Sequence, residues 1–412
     1  MSDLVAPFQG ERYAAVERLS FLIAPPYDVI DPAERARYAA LDADNIVHVM
    51  LPEAPPGHPD DDRYGVAAER LAAWRRKGVL RRDAQPVLYV LAQEFTLPTG
   101  ERLTRHGVFA AVAAEGYEPR RIRPHERTHA GPKADRLALM RATATNIESI
   151  FLLAPDRDQA LATALAAVSQ GTPDASAELN GVGIRLWIVR DPSPFPLPPS
   201  PLYIADGHHR YETASAYALE NPGGAADRVL ALIVSAQDPG LAVLPTHRVI
   251  FGTGRELDRM LPRWREWFDV QPLAAGRDPV TTLASLGRDR TACLVADRAR
   301  VLALLLKPGA LPDRLPSPAQ STAVRDLDVA RIESLVVKEV LGAGTTTPIV
   351  RYVADAKEAL GMVQHGGAAV AVLLNPTKVE QVFAVADAGD VMPPKSTYFV
   401  PKVPSGLVLR PV

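Results

Sequence analysis

The sequence predicts a mixed α/β fold, and three features indicate it. Hydrophobic residues make up 47% of the 412 residues and charged residues 23%, which is typical of a chain that folds around a core. Apolar runs of strand length, such as 228–236, alternate with segments whose apolar residues recur at helical spacing, such as 63–77. At roughly 100–200 residues per domain, the length corresponds to about two to four domains. We therefore expect an α/β (α+β) protein made of several parts.

Residues 1–118 are expected to form an N-terminal α/β region. Asp31 is a favourable N-cap and Pro32 a favourable first helical residue, which predicts where the first helix begins. The predicted elements, in order, are a helix over 31–43, a strand at 45–52, a helix over 63–77 that stops at Gly78, and two strands within 86–114 joined by a Pro-Thr-Gly turn.

Three further segments follow this region. The predicted segments are a core at 119–250 that holds most of the polar motifs, a helical and α/β insertion at 251–341, and a C-terminal α/β subdomain at 342–412 that contributes to the site. The predicted elements of the core are a polar loop at 120–136, a helix over 137–151, a strand at 184–190, and a β-α-β unit formed by 202–206, 207–220 and 228–236. Those of the subdomain are a helix over 355–364, a strand at 368–374, a helix starting at Asn375-Pro376, and a loop at 392–402.

The charge and cysteine content exclude several classes of protein. Lys and Arg total 46 against 48 Asp and Glu, so the chain lacks the basic excess of proteins that coat DNA or anionic membranes. The single cysteine, Cys293, excludes a disulfide framework and a cysteine zinc site, and it fits a reducing compartment. No apolar stretch reaches the roughly 18 residues of a membrane span, and the N-terminus shows no signal region. We expect a cytoplasmic protein with no nucleic-acid or membrane partner.

The first chemically informative motif is Ile-Ala-Asp-Gly-His-His-Arg, where a predicted strand runs directly into a predicted helix. Gly207 lets a ligand approach the backbone closely, and free amides at a helix N-terminus bind phosphate. The residues expected to bind phosphate are Gly207, His208, His209 and Arg210. The alternative is that Asp206 is an ordinary N-cap and that both histidines are solvated surface residues.

The second motif is the polar loop at 123–136. Its spacing His125-Glu126-x-x-His129 formally matches a zinc signature, but that signature needs both histidines on one continuous helix, and the flanking prolines leave at most one turn. We expect this loop to present Glu126 as a base. The residues expected to bind anions are Lys133 and Arg136. The alternative is a solvated loop held by salt bridges.

The third motif is the loop at 392–402. Two prolines stiffen its approach, and Lys395, Ser396 and Thr397 then offer an ammonium and two hydroxyls, which suit a carboxylate or phosphate. The alternative is a stiff entry into a C-terminal strand.

Other polar motifs carry less information. They are Tyr27-Asp28, Asn146 and Thr246-His247-Arg248, each of which alone is more typical of a loop cap or a satisfied buried polar group. Neither a GxxxxGK[ST] phosphate loop nor a GxGxxG fingerprint occurs, which disfavours a P-loop fold and a Rossmann cofactor site.

Six motifs in this order resemble a bacterial and archaeal family known as domain of unknown function number 1015: APPYDVI, PHERT, ATATN, IADGHHRYETA, LPTHR and MPPKSTYF. The resemblance extends over nearly the whole chain. The strand-Asp-Gly-His-His-Arg-helix turn is also similar to the phosphate turn of the ParB and sulfiredoxin fold, most of all in the free serine kinases, which phosphorylate L-serine with ADP or ATP. The fold implied is a ParB/sulfiredoxin-like catalytic core with an added N-terminal region and C-terminal subdomain.

The resemblance implies a kinase-like phosphotransferase that uses ADP or ATP with Mg²⁺, and free L-serine as the first acceptor to consider. Glu126 matches the position of the catalytic base, and the segment at 394–397 matches the one near the amino-acid substrate. We expect Asp206 to help hold Mg²⁺ and to take part in catalysis with His209, and we expect His125 to contact the substrate. The chain is longer than these kinases, which leaves the acceptor open.

Two alternatives belong to other classes. One is a ParB-like module that binds a nucleotide and regulates a partner without kinase turnover. The other is a sulfiredoxin-like reaction, which uses a cysteine beside the phosphate turn, whereas position 208 is a histidine and Cys293 is distant in sequence.

Overall fold

The computed structural model describes residues 4–199, 201–252, 257–274, 276–310, 320–342 and 348–412. The described chain divides into two compact units. The first unit comprises the residues up to Leu241 together with Pro401–Val412, and the second unit comprises Ala242–Val400. The C-terminal segment therefore returns to complete the first unit.

The strands of the described residues are, in chain order, β1 (Val5–Ala6), β2 (Glu11–Tyr13), β3 (Leu80–Arg82), β4 (Leu88–Thr96), β5 (Arg102–Ala113), β6 (Ile122–Arg123), β7 (Thr145–Asn146), β8 (Ile150–Ala154), β9 (Ala175–Leu179), β10 (Val182–Val189), β11 (Leu202–Asp206), β12 (Arg228–Ser235), β13 (Ala242–Leu244), β14 (His247–Phe251), β15 (Phe268–Pro272), β16 (Ala292–Ala296), β17 (Val301–Leu306), β18 (Ile349–Val353), β19 (Val370–Leu374), β20 (Tyr398–Val400) and β21 (Arg410–Pro411).

The α-helices of the same residues are α1 (Leu19–Leu22), α2 (Pro32–Leu41), α3 (Val47–Met50), α4 (Asp62–Arg76), α5 (Ala130–Thr143), α6 (Ala160–Val168), α7 (His208–Glu220), α8 (Leu257–Trp267), α9 (Pro279–Leu286), α10 (Thr322–Arg325), α11 (Asp328–Ile332), α12 (Lys338–Leu341), α13 (Ala356–Gln364) and α14 (Val379–Asp387). Short 3₁₀ helices lie at Val16–Arg18, Tyr27–Val29 and Gly224–Asp227, and a π-helical segment at Glu333–Val337 joins α11 to α12.

The first unit contains a mixed sheet whose described strands follow the order β6-β11-β8-β12-β5-β4-β10-β9, with β1 beside β5. Strand β11 runs parallel to β6 and antiparallel to β8, which itself runs parallel to β12. From β12 to β9 all neighbours are antiparallel. The predicted mixed α/β class is confirmed.

Helix α7 is anchored to this sheet through its apolar face. Tyr211, Ala214 and Tyr217 join one buried cluster with side chains of β8 and β12, such as Leu152 and Ile233. Burial of a leucine or isoleucine side chain stabilises a fold by about 1.5–3 kcal/mol. This packing fixes α7 on the sheet and places its first turn at the end of β11.

The second unit contains an antiparallel sheet, in which the described strands follow the order β15-β17-β16-β19-β14-β18. One of its faces packs against α8 and the α11–α12 helix, with Trp264 and Val336 in the buried cluster. The other face packs against α9 and α13, with Leu283 and Val363 buried there. Strands β13 and β20 form a separate antiparallel pair.

Several local predictions are confirmed. Helix α2 begins after Asp31, which makes a capping box with Glu34, and Pro32 is its first residue. Helix α4 ends before Gly78, which has a φ of 71°. The predicted two-stranded segment is the antiparallel pair β4 and β5.

Other local predictions are wrong. The segment predicted as a strand at 45–52 contains helix α3, because the Asn45 side chain accepts the Val47 amide at 2.9 Å and donates to the Phe21 carbonyl at 2.7 Å. Tertiary contacts thus override the strand preference of its valines. The helix predicted from Asn375 begins only at Val379.

The helix predicted over 137–151 is shifted towards the N-terminus. Helix α5 already begins at Ala130, since a proline such as Pro132 is tolerated in the first turn of a helix. It ends at Thr143, its C-cap residue Ala144 adopts a left-handed φ of 44°, and β7 and β8 follow.

The arrangement of the core also differs from the prediction. Strands β11 and β12 do not form a parallel β-α-β unit, because β8 lies between them and β12 runs opposite to β11. The two compact units likewise differ from the four predicted segments: β5 pairs with β12 across the boundary at 118/119, and the second unit begins at Ala242. Parts of the predicted insertion, at 253–256, 275 and 311–319, lie outside the described residues, as do Ser200, between two predicted strands of the core, and 343–347 of the predicted C-terminal subdomain.

Candidate functional site

The candidate site is built on the turn between β11 and α7. Strand β11 ends at Asp206, Gly207 adopts a left-handed φ of 88°, and α7 begins at once with His208. A Cβ atom at position 207 would lie 3.0 Å from the Arg210 guanidinium carbon. Both the backbone conformation and this close approach therefore require glycine.

The N-terminus of α7 has no side-chain cap. The first backbone bond of the helix runs from the Tyr211 amide to the Gly207 carbonyl, at 2.9 Å. A helix of this length carries about half a positive charge at such an end. The turn therefore presents backbone amides to a prospective anion.

Asp206 is held by two cations instead of capping the helix. Its Oδ2 atom accepts from Arg210 Nη2 at 2.6 Å, and its Oδ1 atom accepts from Lys402 Nζ at 2.9 Å. Burial favours the neutral acid, but Lys402 and Arg210 outweigh it and hold the pKa of Asp206 well below its usual range. The N-cap alternative for Asp206 is therefore wrong.

This arrangement does not fit the expected role of Asp206 as a Mg²⁺ ligand. Each of its two carboxylate oxygens already accepts from a cationic donor. Among the described residues, no group of three or more His, Cys, Asp or Glu side chains is placed to hold a metal ion.

The loop at 124–129 is fastened to the start of α7 by two similar contacts. The His125 amide donates to His208 Nε2 at 3.3 Å, and the His129 amide donates to His209 Nε2 at 2.8 Å. The His125 and His208 rings meet edge to face at 4.7 Å, and the His129 and His209 rings stack at 6.0 Å. Both Nε2 atoms accept hydrogen bonds, so neither carries a proton in this arrangement.

Burial keeps these imidazoles neutral. His125 is 1% exposed, and burial lowers its pKa to about 4. Burial and the neighbouring His125 lower the pKa of His208 far below its usual range. The pKa of His209 is lowered by partial burial and by His129.

Glu212, one turn further along α7, also binds the 124–129 loop and the start of α5 to this helix. Its Oε2 atom accepts from Thr128 Oγ1 at 2.7 Å and from Lys133 Nζ at 2.8 Å. The ammonium of Lys133, which was expected to bind phosphate, is thus paired with a carboxylate of α7.

Glu126, the predicted base, lies half-buried between the two fastened positions His125 and His129. These contacts bring the loop that contains Glu126 next to the turn at Gly207 within the first unit, although the two are about 80 residues apart in sequence. The loop is not helical, since α5 starts only at Ala130, so the two histidines do not form the zinc signature. Its role as base stays a prediction.

A buried ionic network lies behind the turn. Glu148 accepts the Tyr27 amide at 3.0 Å and lies 3.7 Å from Arg136 Nη1, while burial raises its pKa. Arg210 also donates to the Ser149 carbonyl. Arg136 is 7% exposed, donates to the Met50 carbonyl at 2.7 Å and stacks on the Tyr27 ring, so it is a buried structural residue in this arrangement.

Two other sequence signals turn out to be informative. Tyr27 of the APPYDVI motif contacts this network through Glu148 and Arg136, and the charge of Asp28 helps to raise the pKa of Arg210. Asn146 accepts the Leu230 amide at 3.0 Å and Arg410 Nη1 at 3.3 Å, and it therefore links β12 to the C-terminal segment.

Lys402 lies in the third motif but was not among the predicted site residues, and neither were Glu212 and Glu148. The sequence contains a weak signal for Lys402, because Pro401-Lys402 closes the third motif. The pairing with Asp206 spans 196 positions, however, and no local pattern indicates it.

The expected acceptor-binding residues Lys395, Ser396 and Thr397 belong to the second unit. Lys395 is exposed and has a left-handed φ of 56°. Ser396 is buried, and its hydroxyl donates to the Pro393 carbonyl at 2.6 Å, so it stabilises its own turn. The Thr246 hydroxyl donates to the Lys395 carbonyl, which connects two of the motifs within this unit. The binding role of these residues stays a prediction.

In the described part of the chain, no helix is both long and apolar enough to span a membrane. Among solved structures, the chain is similar to a free serine kinase in complex with AMP, with 15% identity, a TM-score of 0.37, and coverage of 71% of this chain and 87% of that one. It is also similar to a conserved hypothetical protein from Pyrococcus furiosus, with 15% identity, a TM-score of 0.35, and coverage of 73% and 93%.

A third similar structure is C-terminally truncated SbnI from Staphylococcus aureus, with 10% identity, a TM-score of 0.37, and coverage of 72% and 84%. No curated protein matches the chain. The family model described as "Protein of unknown function (DUF1015)" matches residues 5–330, and the chain therefore belongs to that family.

Proposed function

We propose that this protein binds a nucleotide through its phosphates at the first turn of α7 and transfers a phosphoryl group from ADP or ATP to the hydroxyl of a small metabolite, with free L-serine as the first acceptor to test. The observation that carries the proposal is the uncapped turn at Gly207, held beside the loop that contains Glu126. Phosphoryl transfer needs positioned charges more than covalent chemistry, and such a turn supplies them.

The phosphate-binding part rests on the amides of the first turn. Gly207 leaves no side chain over them, and α7 lacks a side-chain cap that would compete with an anion. The helix end itself favours negative charge. Arg210 and Lys402 form ion pairs with Asp206, which reduces the repulsion between this carboxylate and a phosphate at the turn.

The base part rests on Glu126. An attacking hydroxyl must lose its proton as the phosphoryl group arrives, and a positioned carboxylate accelerates this step by about 10²–10⁴-fold. The hydrogen bonds at His125 and His129 hold the backbone on both sides of Glu126. No step of this mechanism runs through a metal ion bound by Asp206. Lys395 and Thr397 are proposed to recognise the acceptor's carboxylate.

The test is to incubate the purified chain with ADP or ATP, MgCl₂ and L-serine, and to follow phosphoserine by phosphorus NMR. We expect turnover by the wild type and a loss of about 10²–10⁴-fold in kcat for Glu126→Gln, with nucleotide affinity retained. Glu118→Gln is the matched control, because Glu118 is an exposed carboxylate nearby in sequence. Equal turnover in Glu126→Gln and Glu118→Gln would remove Glu126 from the mechanism.

The acceptor is tested separately with Lys395→Ala. We expect this variant to raise KM for L-serine without changing the Kd of the nucleotide, since an ammonium pairs with a carboxylate. Nucleotide binding by the wild type with no transfer to serine or to other small hydroxyl compounds would identify a nucleotide-binding regulatory module instead of a kinase.

A further inference from the structure

We propose that His209 is a positioning residue, which fixes the 124–129 loop and its Glu126 at the first turn of α7 by accepting the His129 amide, instead of binding phosphate through its ring. This inference rests on the phosphotransfer proposed above and assigns a different task to a residue of the same motif.

The hydrogen bond from the His129 amide determines which ring nitrogen of His209 is unprotonated. The His129 amide donates to His209 Nε2 at 2.8 Å, so that nitrogen carries no proton and has no hydrogen to offer to a phosphate oxygen. The rings of the two residues stack at 6.0 Å, which aligns the ring of His209 with the loop. His208 repeats the contact with the His125 amide at 3.3 Å. Two consecutive histidines of α7 thus accept from two amides of one loop.

The contacts flank the predicted base. His125 and His129 are the fastened backbone positions, Thr128 is tied to Glu212 at 2.7 Å, and Glu126 lies between them. A catalytic carboxylate works only within hydrogen-bond reach of its proton, and a displacement of about 1 Å can lower the rate by about 10²-fold. Release of one fastening point is therefore expected to lower kcat without touching the phosphate amides.

The groups that face His209 come from every element around it. They are His129 on the loop, Glu212 on α7, Lys133 on α5 and Asp28 in the Tyr27–Val29 segment. Burial, His129 and Lys133 lower the pKa of His209, whereas Glu212 and Asp28 oppose this change. A proton on Nε2 would place two N–H donors against each other, so acid releases the loop.

The experiment compares His209→Leu with His209→Gln. Leucine removes the acceptor, whereas the side-chain oxygen of glutamine extends to about the position of Nε2 and can still accept the His129 amide. Two readouts are measured: kcat with nucleotide Kd, and hydrogen–deuterium exchange of peptides that cover 124–130. His365→Leu, an exposed histidine of the second unit, is the matched control.

We expect His209→Leu to lower kcat by about 10²-fold with nucleotide Kd nearly unchanged, and to speed exchange in 124–130. His209→Gln should restore most of kcat and the slow exchange, and it should remove the acidic limb of the pH–rate profile that belongs to His209. His365→Leu should change neither readout.

Two results would overturn the inference. One is a loss of nucleotide affinity in His209→Leu as large as its loss of kcat, which would make the ring a phosphate ligand. The other is unchanged exchange in 124–130. A wild type without phosphotransfer would refute the proposed function alone, because the exchange readout still shows whether His209 fastens the loop.

Discussion

Helices α2 and α7 of the first unit both begin shortly after an aspartate, but side chains cap the N-terminus of α2 and leave that of α7 uncapped. At α2, Asp31 Oδ1 accepts the Glu34 amide at 2.8 Å, and Glu34 Oε2 accepts the Asp31 amide at 3.2 Å. The N-terminus of α2 is therefore closed, which means that side chains of the helix itself cap it. At α7, Gly207 occupies the N-cap position and Asp206 is directed to Arg210 and Lys402. Asp206 precedes the N-cap position and both of its oxygens accept from cations, so an acid shortly before a helix does not by itself indicate a cap.

The two ends therefore differ in what they can bind. A closed capping box satisfies the first amides and leaves no place for an external anion. An end that begins with glycine keeps its amides available at the cost of a weaker local structure. The helix α7 compensates through its buried tyrosines and through the loop fastened to its histidines.

The largest expected effect comes from removing the charge of Asp206. Asp206→Asn leaves Arg210 and Lys402 partly buried without their counter-charge, and this should cost about 3–5 kcal/mol of unfolding free energy. Urea denaturation monitored by circular dichroism measures it. A cost no larger than that of Asp31→Ala would mean that the ion pairs of Asp206 stabilise the fold no more than a helix cap does.

The second-largest effect is expected from acid, which should destabilise the N-terminus of α7 where His208 and His209 hold the 124–129 loop. The pKa of His125 is lowered to about 4, below its ordinary 6.5, so the unfolded chain binds the proton at higher pH. Stability is therefore complete above about pH 6.5 and declines towards pH 4, by about 3 kcal/mol at about 1.4 kcal/mol per pKa unit. The contribution of Asp206, whose pKa is depressed, is lost only at still lower pH.

Urea denaturation of wild type and His125→Gln between pH 7 and 4.5 isolates this effect from other titrating groups. The unfolding free energy of the variant should vary less across the range. Identical pH dependence in both proteins would mean that His125 is not the buried neutral group described here.

Gly207→Ala tests the open end itself. A left-handed residue with a Cβ atom costs about 1–2 kcal/mol, and the methyl group would also press on Arg210. We expect that loss of stability together with at least about tenfold weaker nucleotide binding, which is about 1.4 kcal/mol. Calorimetric titration measures the affinity. Gly65→Ala in α4, where a Cβ atom meets nothing, is the control and should be neutral or slightly stabilising.

The smallest effect is expected at the closed end. Asp31→Ala removes the cap of α2 and should cost about 1 kcal/mol, with nucleotide affinity unchanged. Denaturation and calorimetry on the same sample measure both quantities. Weaker nucleotide binding in this variant would mean that the site depends on α2 as well as on α7.

Local patterns predicted the parts of the fold that local chemistry determines. The Asp-Gly-His-His turn and the Asp31-Pro32 helix start were predicted, because glycine, proline and capping residues act within a few positions. The strand expected at 45–52 became α3 because Asn45 bonds to the Phe21 carbonyl, which is distant in sequence.

Some residues of the candidate site were predictable from the sequence, but their partners were not. The sequence indicated Glu126, Asp206 and Lys133 as chemically important. That Lys133 pairs with Glu212 and that Lys402 pairs with Asp206 are tertiary facts, since these contacts span 79 and 196 positions. His208 and His209 accept through Nε2 because the His125 and His129 amides pack against them in the folded protein. The spacing of these residues in the sequence does not indicate this pairing.

The most direct test of the central claim is a titration with ADP of the protein labelled with ¹⁵N-histidine, read as amide chemical shifts. The chain has nine histidines, of which His208 and His209 open α7. We predict that the amides of these two shift most, that those of His125 and His129 follow, and that the amide of His365 stays unchanged. Saturable ADP binding that moves other histidine amides while His208 and His209 stay in place would contradict an anion site at the first turn of α7.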